Sequence, residues 1–276
     1  MGDRYQYSIL YNTFSETEIN NYAQKIRNNF KKIIWDDDKY SEWMIRNYLS
    51  IKMIFSSSIM LSSCEYSIEN NIKVVEPYLY YYSMLNCCRC FLYSVPYMEW
   101  NDGGLIGLSH NKIINNTENY LKVANKNITE ELINDISFLK YYRELFSYHF
   151  PANGIKSVKK NITFEKVIKN CQLLVEIAQF NSSILSEVFI KNFDQKIFNF
   201  KENFASKGFI YEGKSEIIID EEDYYRIGFI CRKYNIIYSL YHTMTEGMVE
   251  DFFGAWCSDT EGYNPDENWR IIFNVP

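Results

Sequence analysis

The chain has 276 residues, 47% of them hydrophobic and 23% charged, with only 11 glycines and 5 prolines, which excludes a disordered, collagenous or low-complexity protein. Twenty-nine Lys and Arg against 35 Asp and Glu give a formal charge of -6, so the chain is no general coat for long nucleic acids, although a local basic patch is allowed. The 24 tyrosines and 19 phenylalanines follow the Ile, Asn and Lys bias of the chain and are not read as a base-stacking surface.

Ser15-Glu16-Thr17-Glu18 has the spacing of a capping box and predicts a helix to about Ile34. Trp35 and the acidic run Asp36 to Asp38 are expected to stop it as a solvated turn. From Tyr40 through Met53, Phe55, Ile59, Met60 and Cys64, apolar residues surround the axis, which predicts a buried helix. Pro77 suits the first turn of the next helix, which Val74, Tyr78, Tyr81, Tyr82, Leu85, Cys88 and Leu92 carry by spacing to Pro96.

A loop with Asn101-Asp102-Gly103-Gly104 and Gly107 follows, and Ser109 is placed to cap a helix from His110. Thr129 is expected to cap a fourth helix ending before Pro151, and Thr163 to start another reaching about Asn192. Phe209 to Tyr211 and Glu216 to Ile219 read as two short strands around Gly213. Asp220 to Tyr238 reads equally well as a helix with an acidic first turn. The tail from Cys257 is loop-like. The expectation is a mostly α protein in three parts: an N-terminal helical segment 1–44, a helical core 45–192, and a C-terminal extension 193–276 of mixed or irregular structure.

Cys87, Cys88 and Cys90 lie within four residues, but helical rotation sends their sulfurs in different directions. Reduced, partly buried cysteines are expected. The first residues lack the apolar stretch of a secretory signal, and no run of about 18 apolar residues occurs, so a cytoplasmic protein without membrane contact is expected. Gly103-Gly104-x-x-Gly107 follows no strand and is no dinucleotide fingerprint. No P-loop, H-E-x-x-H or G-x-S-x-G is found, and no metal or cofactor is expected.

Only three histidines are available for proton transfer: His110, His149 and His242. On a helical wheel Leu132, Ile136, Leu139, Phe146 and Phe150 form an apolar stripe with Arg143 in its middle. A guanidinium there is costly unless paired or placed at an interface. His149 falls on the flank of the stripe at the helix C-terminus, where the terminal carbonyls favour imidazolium, the form of a proton donor. Lys156, Lys159 and Lys160 add a basic group beside it. The same pattern also fits a structural pair, with Arg143 on a core-edge carboxylate and His149 capping carbonyls. His110, at a helix N-terminus, is expected to be a neutral imidazole bonded to the Gly-rich loop. His242 receives no role.

The helix order, the Leu79 to Asn86 segment with its three tyrosines, the Gly107-Leu-Ser-His110-Asn-Lys turn and the terminal Arg143-x5-His149 helix together resemble the HEPN superfamily, over residues 45 to 190. The tyrosine-rich helix and the Ser-His-x-Lys turn are similar to those of HEPN-like and YaaC-like bacterial proteins. The resemblance implies a HEPN-like helical bundle and metal-independent RNA cleavage at a homodimer interface, in a toxin or antiphage-defence effector restrained by an antitoxin or complex partner. Arg143 would stabilise the pentacoordinate phosphate. His149 would exchange protons with the 2′-hydroxyl or the leaving 5′-oxygen, and Lys156, Lys159 and Lys160 would bind substrate. Active members commonly carry a small polar residue after the arginine. This chain has Glu144, which leaves open a non-catalytic module that binds RNA or nucleotide or serves as a protein-interaction subunit.

Overall fold

Ser15 accepts a hydrogen bond from the Glu18 amide while Glu18 reaches back to the Ser15 amide, and this reciprocal cap starts helix α2 at Glu16–Lys32, after a short α1 at Ser8–Thr13. The computed structural model describes residues 5–158, 162–193, 197–213, 216–257 and 262–275. The acidic run does not form the expected solvated turn. Asp36 accepts from the Lys39 amide, and Asp37 and Asp38 occupy the positive first turn of α3, Asp37–Glu69. The boundary expected at 44/45 therefore falls inside one unbroken helix.

Helix α4, Glu76–Ser94, starts with Pro77 in its first turn as its spacing predicts. It packs along α3 and against α5 (His110–Leu121), α6 (Lys126–Tyr148) and α7 (Phe164–Phe193). Tyr80, Tyr81, Met84, Leu85, Cys87, Cys88, Phe91 and Leu92 are all buried, so α4 is the axis of the bundle. Helix α7 is long and apolar enough to cross a membrane, and 78% of its most apolar stretch is buried among the other helices.

Two caps differ from expectation. Ser109 stands at the N-terminus of α5 without a side-chain hydrogen bond to it. Asn125, not Thr129, caps α6 by accepting from the Ile128 amide at 3.0 Å, and Thr129 lies buried inside the helix with its hydroxyl donating back to the Asn125 carbonyl. An asparagine side chain outcompetes a threonine one turn further in because it reaches the free amides first.

The C-terminal part is largely helical: α8 (Glu202–Phe209), α9 (Glu221–Lys233), α10 (Leu240–Thr243) and α11 (Glu246–Gly254), with β1 (Ile210–Glu212) and β2 (Ile217–Ile219) between α8 and α9. All four of these helices touch α3. Asp223 of α9 is the main tie: its buried carboxylate accepts from Tyr48, from Tyr211 at 2.7 Å and from the Lys52 ammonium. The protein is thus mostly α-helical, with a single two-stranded antiparallel sheet among the described residues.

A second tie joins α3 to α4. Arg46 is fully buried, stacks on the Trp43 ring and pairs with Glu42 at 2.9 Å. Its guanidinium also donates to the carbonyls of Tyr93 (2.8 Å), Val95 (2.7 Å) and Met98 (3.0 Å) at the end of α4. It supplies donors where a helix terminus leaves its carbonyls unmatched.

Cys87 and Cys90 are three residues apart, the spacing of many metal or redox pairs, yet all seven cysteines among the described residues are free and the 87–90 group is buried. Burial pushes the Cys88 thiol up to about 12 and the Cys90 thiol well up, which leaves both unreactive. Among the described residues no three His, Cys, Asp or Glu side chains converge on a metal position.

Candidate functional site

Arg143 lies inside the wall of the bundle, its side chain only 12% exposed, between the buried Leu139 and Phe146. Helix α4 faces it with Tyr81 and Tyr82, whose ring centroids are 5.2 Å and 6.0 Å from the guanidinium carbon. Phe150, the last member of the predicted stripe, lies past the helix end and is exposed, with a left-handed backbone (φ 40°).

The guanidinium is poorly neutralised. Glu144 Oε1 is 3.6 Å from Arg143 Nη2, too long for a hydrogen bond, and 3.8 Å from Lys140 Nζ, so one carboxylate is shared between two cations. The buried Nε of Arg143 has no hydrogen-bond partner among the described residues. Burial opposes the charge, but Tyr82, Tyr81, Tyr148 and Glu144 outweigh it and hold the group charged.

Seven residues after Tyr82, two helical turns along the same face, stands Arg89. It too has a buried Nε with no partner, and it makes no ion pair among the described residues. His110, the first residue of α5, completes the group. Its Nδ1 is 2.9 Å from the Tyr81 hydroxyl, and its ring packs against both tyrosines. Burial, then Arg89, Arg143 and Lys140, depress its basicity, with Glu144 opposing. The imidazole is therefore neutral, as its position at a helix start predicts, but its partner is Tyr81 and not the Gly-rich loop. Burial pushes the Tyr81 phenol up to about 12 while Arg143 pulls it down, so Tyr81 keeps its proton. When that proton is given to Nδ1, Nε2 of His110 is a donor; in the other tautomer Nε2 is a base.

The structure places the sequence-derived residues unevenly. Arg143 is where its wheel position predicts. His149 is the C-cap of α6, exposed, with its amide donating to the Leu145 carbonyl at 3.0 Å. Six residues on a helix separate it from Arg143 by about 9 Å along the axis and about 120° around it, so within one protomer the two do not meet. Lys156 is exposed in the 3-10 turn Gly154–Ser157, and Lys159 and Lys160 lie outside the described residues. His242 bonds through Nδ1 to Ser239 Oγ at 2.9 Å. Arg89 and Lys140 are the members that sequence reasoning missed. A signal for Arg89 is that it is the only cation in α4, a helix whose only other charged residue is Glu76.

Two cations, Arg143 and Lys140, thus share one carboxylate beside two tyrosine rings and a neutral imidazole, and Arg89 acts on that imidazole from α4. Such a group is suited to an oxyanion with several acceptor atoms, above all a phosphate, because guanidinium donors are already fixed and partly desolvated. Neither protein-family models, nor curated proteins, nor solved structures match this chain.

The depressed basicity of His110 gives a pH dependence. A histidine charged less readily in the folded than in the unfolded chain contributes stability above about 6.5, its ordinary value, and this is lost as pH falls through the lower folded value. In urea denaturation between pH 7.5 and 5, the wild type is expected to lose stability relative to His110→Asn. Parallel curves for the two proteins would show that His110 is not held neutral.

Proposed function

We propose that this protein is a metal-independent endoribonuclease of the HEPN kind, acting as a homodimer, with Arg143 holding the scissile phosphate. The observation that carries this reading is the charged, nearly buried Arg143 guanidinium whose Nε lacks a partner, with a second arginine, Arg89, that also has an unpartnered Nε and acts on the same histidine. A phosphodiester would accept from the part of the Arg143 guanidinium that stays exposed, the Nε itself being buried. A base takes the proton of the 2′-hydroxyl, the 2′-oxygen attacks phosphorus, Arg143 stabilises the extra negative charge, and an acid protonates the leaving 5′-oxygen. The products are a 2′,3′-cyclic phosphate and a 5′-hydroxyl, and no step needs a metal.

Neutral His110, in the tautomer that leaves Nε2 unprotonated, is the candidate base. His149 is the candidate acid, and it would reach the phosphate from a second copy. The end of α6 supports such a copy, because Tyr141, Tyr148 and Phe150 are all well exposed around His149. Lys156, with Lys159 and Lys160, would extend the contact to flanking phosphates. In this reading the protein serves as a cytoplasmic toxin or antiphage-defence effector, restrained by an antitoxin or complex partner.

Glu144 favours a second reading. Its carboxylate stands within 4 Å of both Arg143 and Lys140, close to where a phosphate oxygen would lie, and suits a module that binds RNA or nucleotide without cleaving it. Incubating wild type, His149→Ala and His110→Ala with RNA in EDTA separates the two. The nuclease reading expects 5′-hydroxyl ends from wild type and a loss of about 100-fold or more in each variant. Binding without cleavage in all three proteins supports the module, and RNA that is neither bound nor cleaved overturns both.

A further inference from the structure

Strands β1 and β2 pair antiparallel with Tyr211 opposite Ile218, Ile210 opposite Ile219 and Glu212 opposite Ile217. The Gly213 amide donates to the Glu216 carbonyl at 2.8 Å and the Asp220 amide to the Phe209 carbonyl at 2.9 Å. Hydrogen-bonded and non-bonded pairs alternate in such a ladder, so Tyr211 and Ile218 form the bonded pair between these two. It follows that the amides and carbonyls of Ile217 and Ile219 point away from β1. No further strand lies on that edge among the described residues.

The side chains are as unprotected as the backbone. Ile217, Ile218 and Ile219 are 66%, 54% and 59% exposed, although they point alternately to both faces of the ribbon. A two-stranded ribbon is marginal alone, and a free apolar edge is a pairing template that folded proteins normally cover or break with charge. Here the charge stands around the edge. From 212 to 223 the sequence has six acidic residues and one basic residue, Lys214, and Glu212, Glu216 and Glu221 have no ion pair among the described residues.

That rim selects the occupant. Antiparallel self-pairing about Ile218 would set Glu216 of each copy opposite Asp220 of the other, and like charges directly opposite are destabilising. We propose that the free edge of β2 docks an extended apolar segment of a partner protein, flanked by lysine or arginine, which adds a third strand to the ribbon. Main-chain bonds to Ile217 and Ile219 give the affinity, the isoleucines grip the apolar centre, and the acidic rim selects basic flanks. This does not depend on the nuclease reading, because the edge shares no residue with the Arg143 cluster.

The test titrates the full chain with a labelled peptide, Lys-Lys-Val-Ile-Val-Lys-Lys, with the same peptide carrying glutamate for lysine, and with the lysine peptide N-methylated at the backbone positions facing β2. The lysine peptide is expected to bind about tenfold or more tighter than either control and to weaken with salt. Hydrogen exchange at the Ile217 and Ile219 amides should slow, with Ile218 unchanged. Absence of binding, or equal binding of the glutamate or methylated peptide, overturns the proposal. So does self-association of the free chain that Ile218→Lys abolishes, since the occupant is then a second copy.

Discussion

Arg46→Ala is expected to lower the free energy of unfolding by about 3–5 kcal/mol, seen as a lower urea midpoint at unchanged slope. The substitution removes donors from Tyr93, Val95 and Met98 together, in the last turn of α4 and the segment after it, and among the described residues only Val95 keeps another donor, the Met98 amide at 3.2 Å. It also takes from buried Glu42 its inner partner, leaving only Lys39 at 2.7 Å on the outer side. A loss of that size is a large share of the roughly 5–15 kcal/mol that holds a typical domain together. If the alanine variant does not fold, Arg46→Lys carries the test. An ammonium keeps the charge but cannot span carbonyls lying in different directions, so about half the loss is expected to remain. A lysine variant as stable as wild type would show that charge alone, and not the guanidinium fork, joins α3 to α4.

Much of the helical framework was legible because its punctuation is local. Ser15 with Glu18, Pro77 in a first turn, and Thr163, whose hydroxyl accepts from the Lys166 amide, each act within four residues of a helix start. The misreadings come from the same short range: the acidic run taken for a turn caps and opens the next helix, and Asn125 caps α6 one turn before Thr129. The two strands, although legible as a pattern, were only one of the readings that Phe209 to Tyr238 allowed. Periodicity cannot weigh a three-residue strand against a helix when neither is deeply buried.

The cluster around Arg143 was legible only in part. The wheel singles out Arg143 because one helix contains both the stripe and the intruding charge. Lys140 was within reach of the i,i+4 rule through Glu144, but Arg89 and His110 come from other helices and join the group only after α4, α5 and α6 pack. Arg46 was hidden for a related reason. Its partners are backbone carbonyls about fifty residues away, and carbonyls carry no sequence signature.

Arg143→Leu is expected to act in the opposite direction to Arg46→Ala. Both residues are arginines with little exposure, but Arg46 has its donors matched, whereas Arg143 leaves a buried Nε unpaired and meets its carboxylate only at 3.6 Å. Leucine would continue the stripe of Leu139 and Phe146 and remove an incompletely compensated charge, which is worth about 1–4 kcal/mol in favourable cases. Loss of the contact with the Tyr81 and Tyr82 rings takes back about 0.5–1 kcal/mol, so a net gain of up to about 3 kcal/mol in unfolding free energy is expected. RNA cleavage, where present, should fall by about 100-fold or more, and phosphate-containing ligands should raise the melting temperature of wild type but not of the variant. Stability and binding moving in opposite directions is the signature of a residue kept for a ligand at the expense of the fold. If Arg143→Leu lowers stability and leaves RNA binding unchanged, the guanidinium is a structural strut between α4 and α6, and the phosphate site must lie elsewhere.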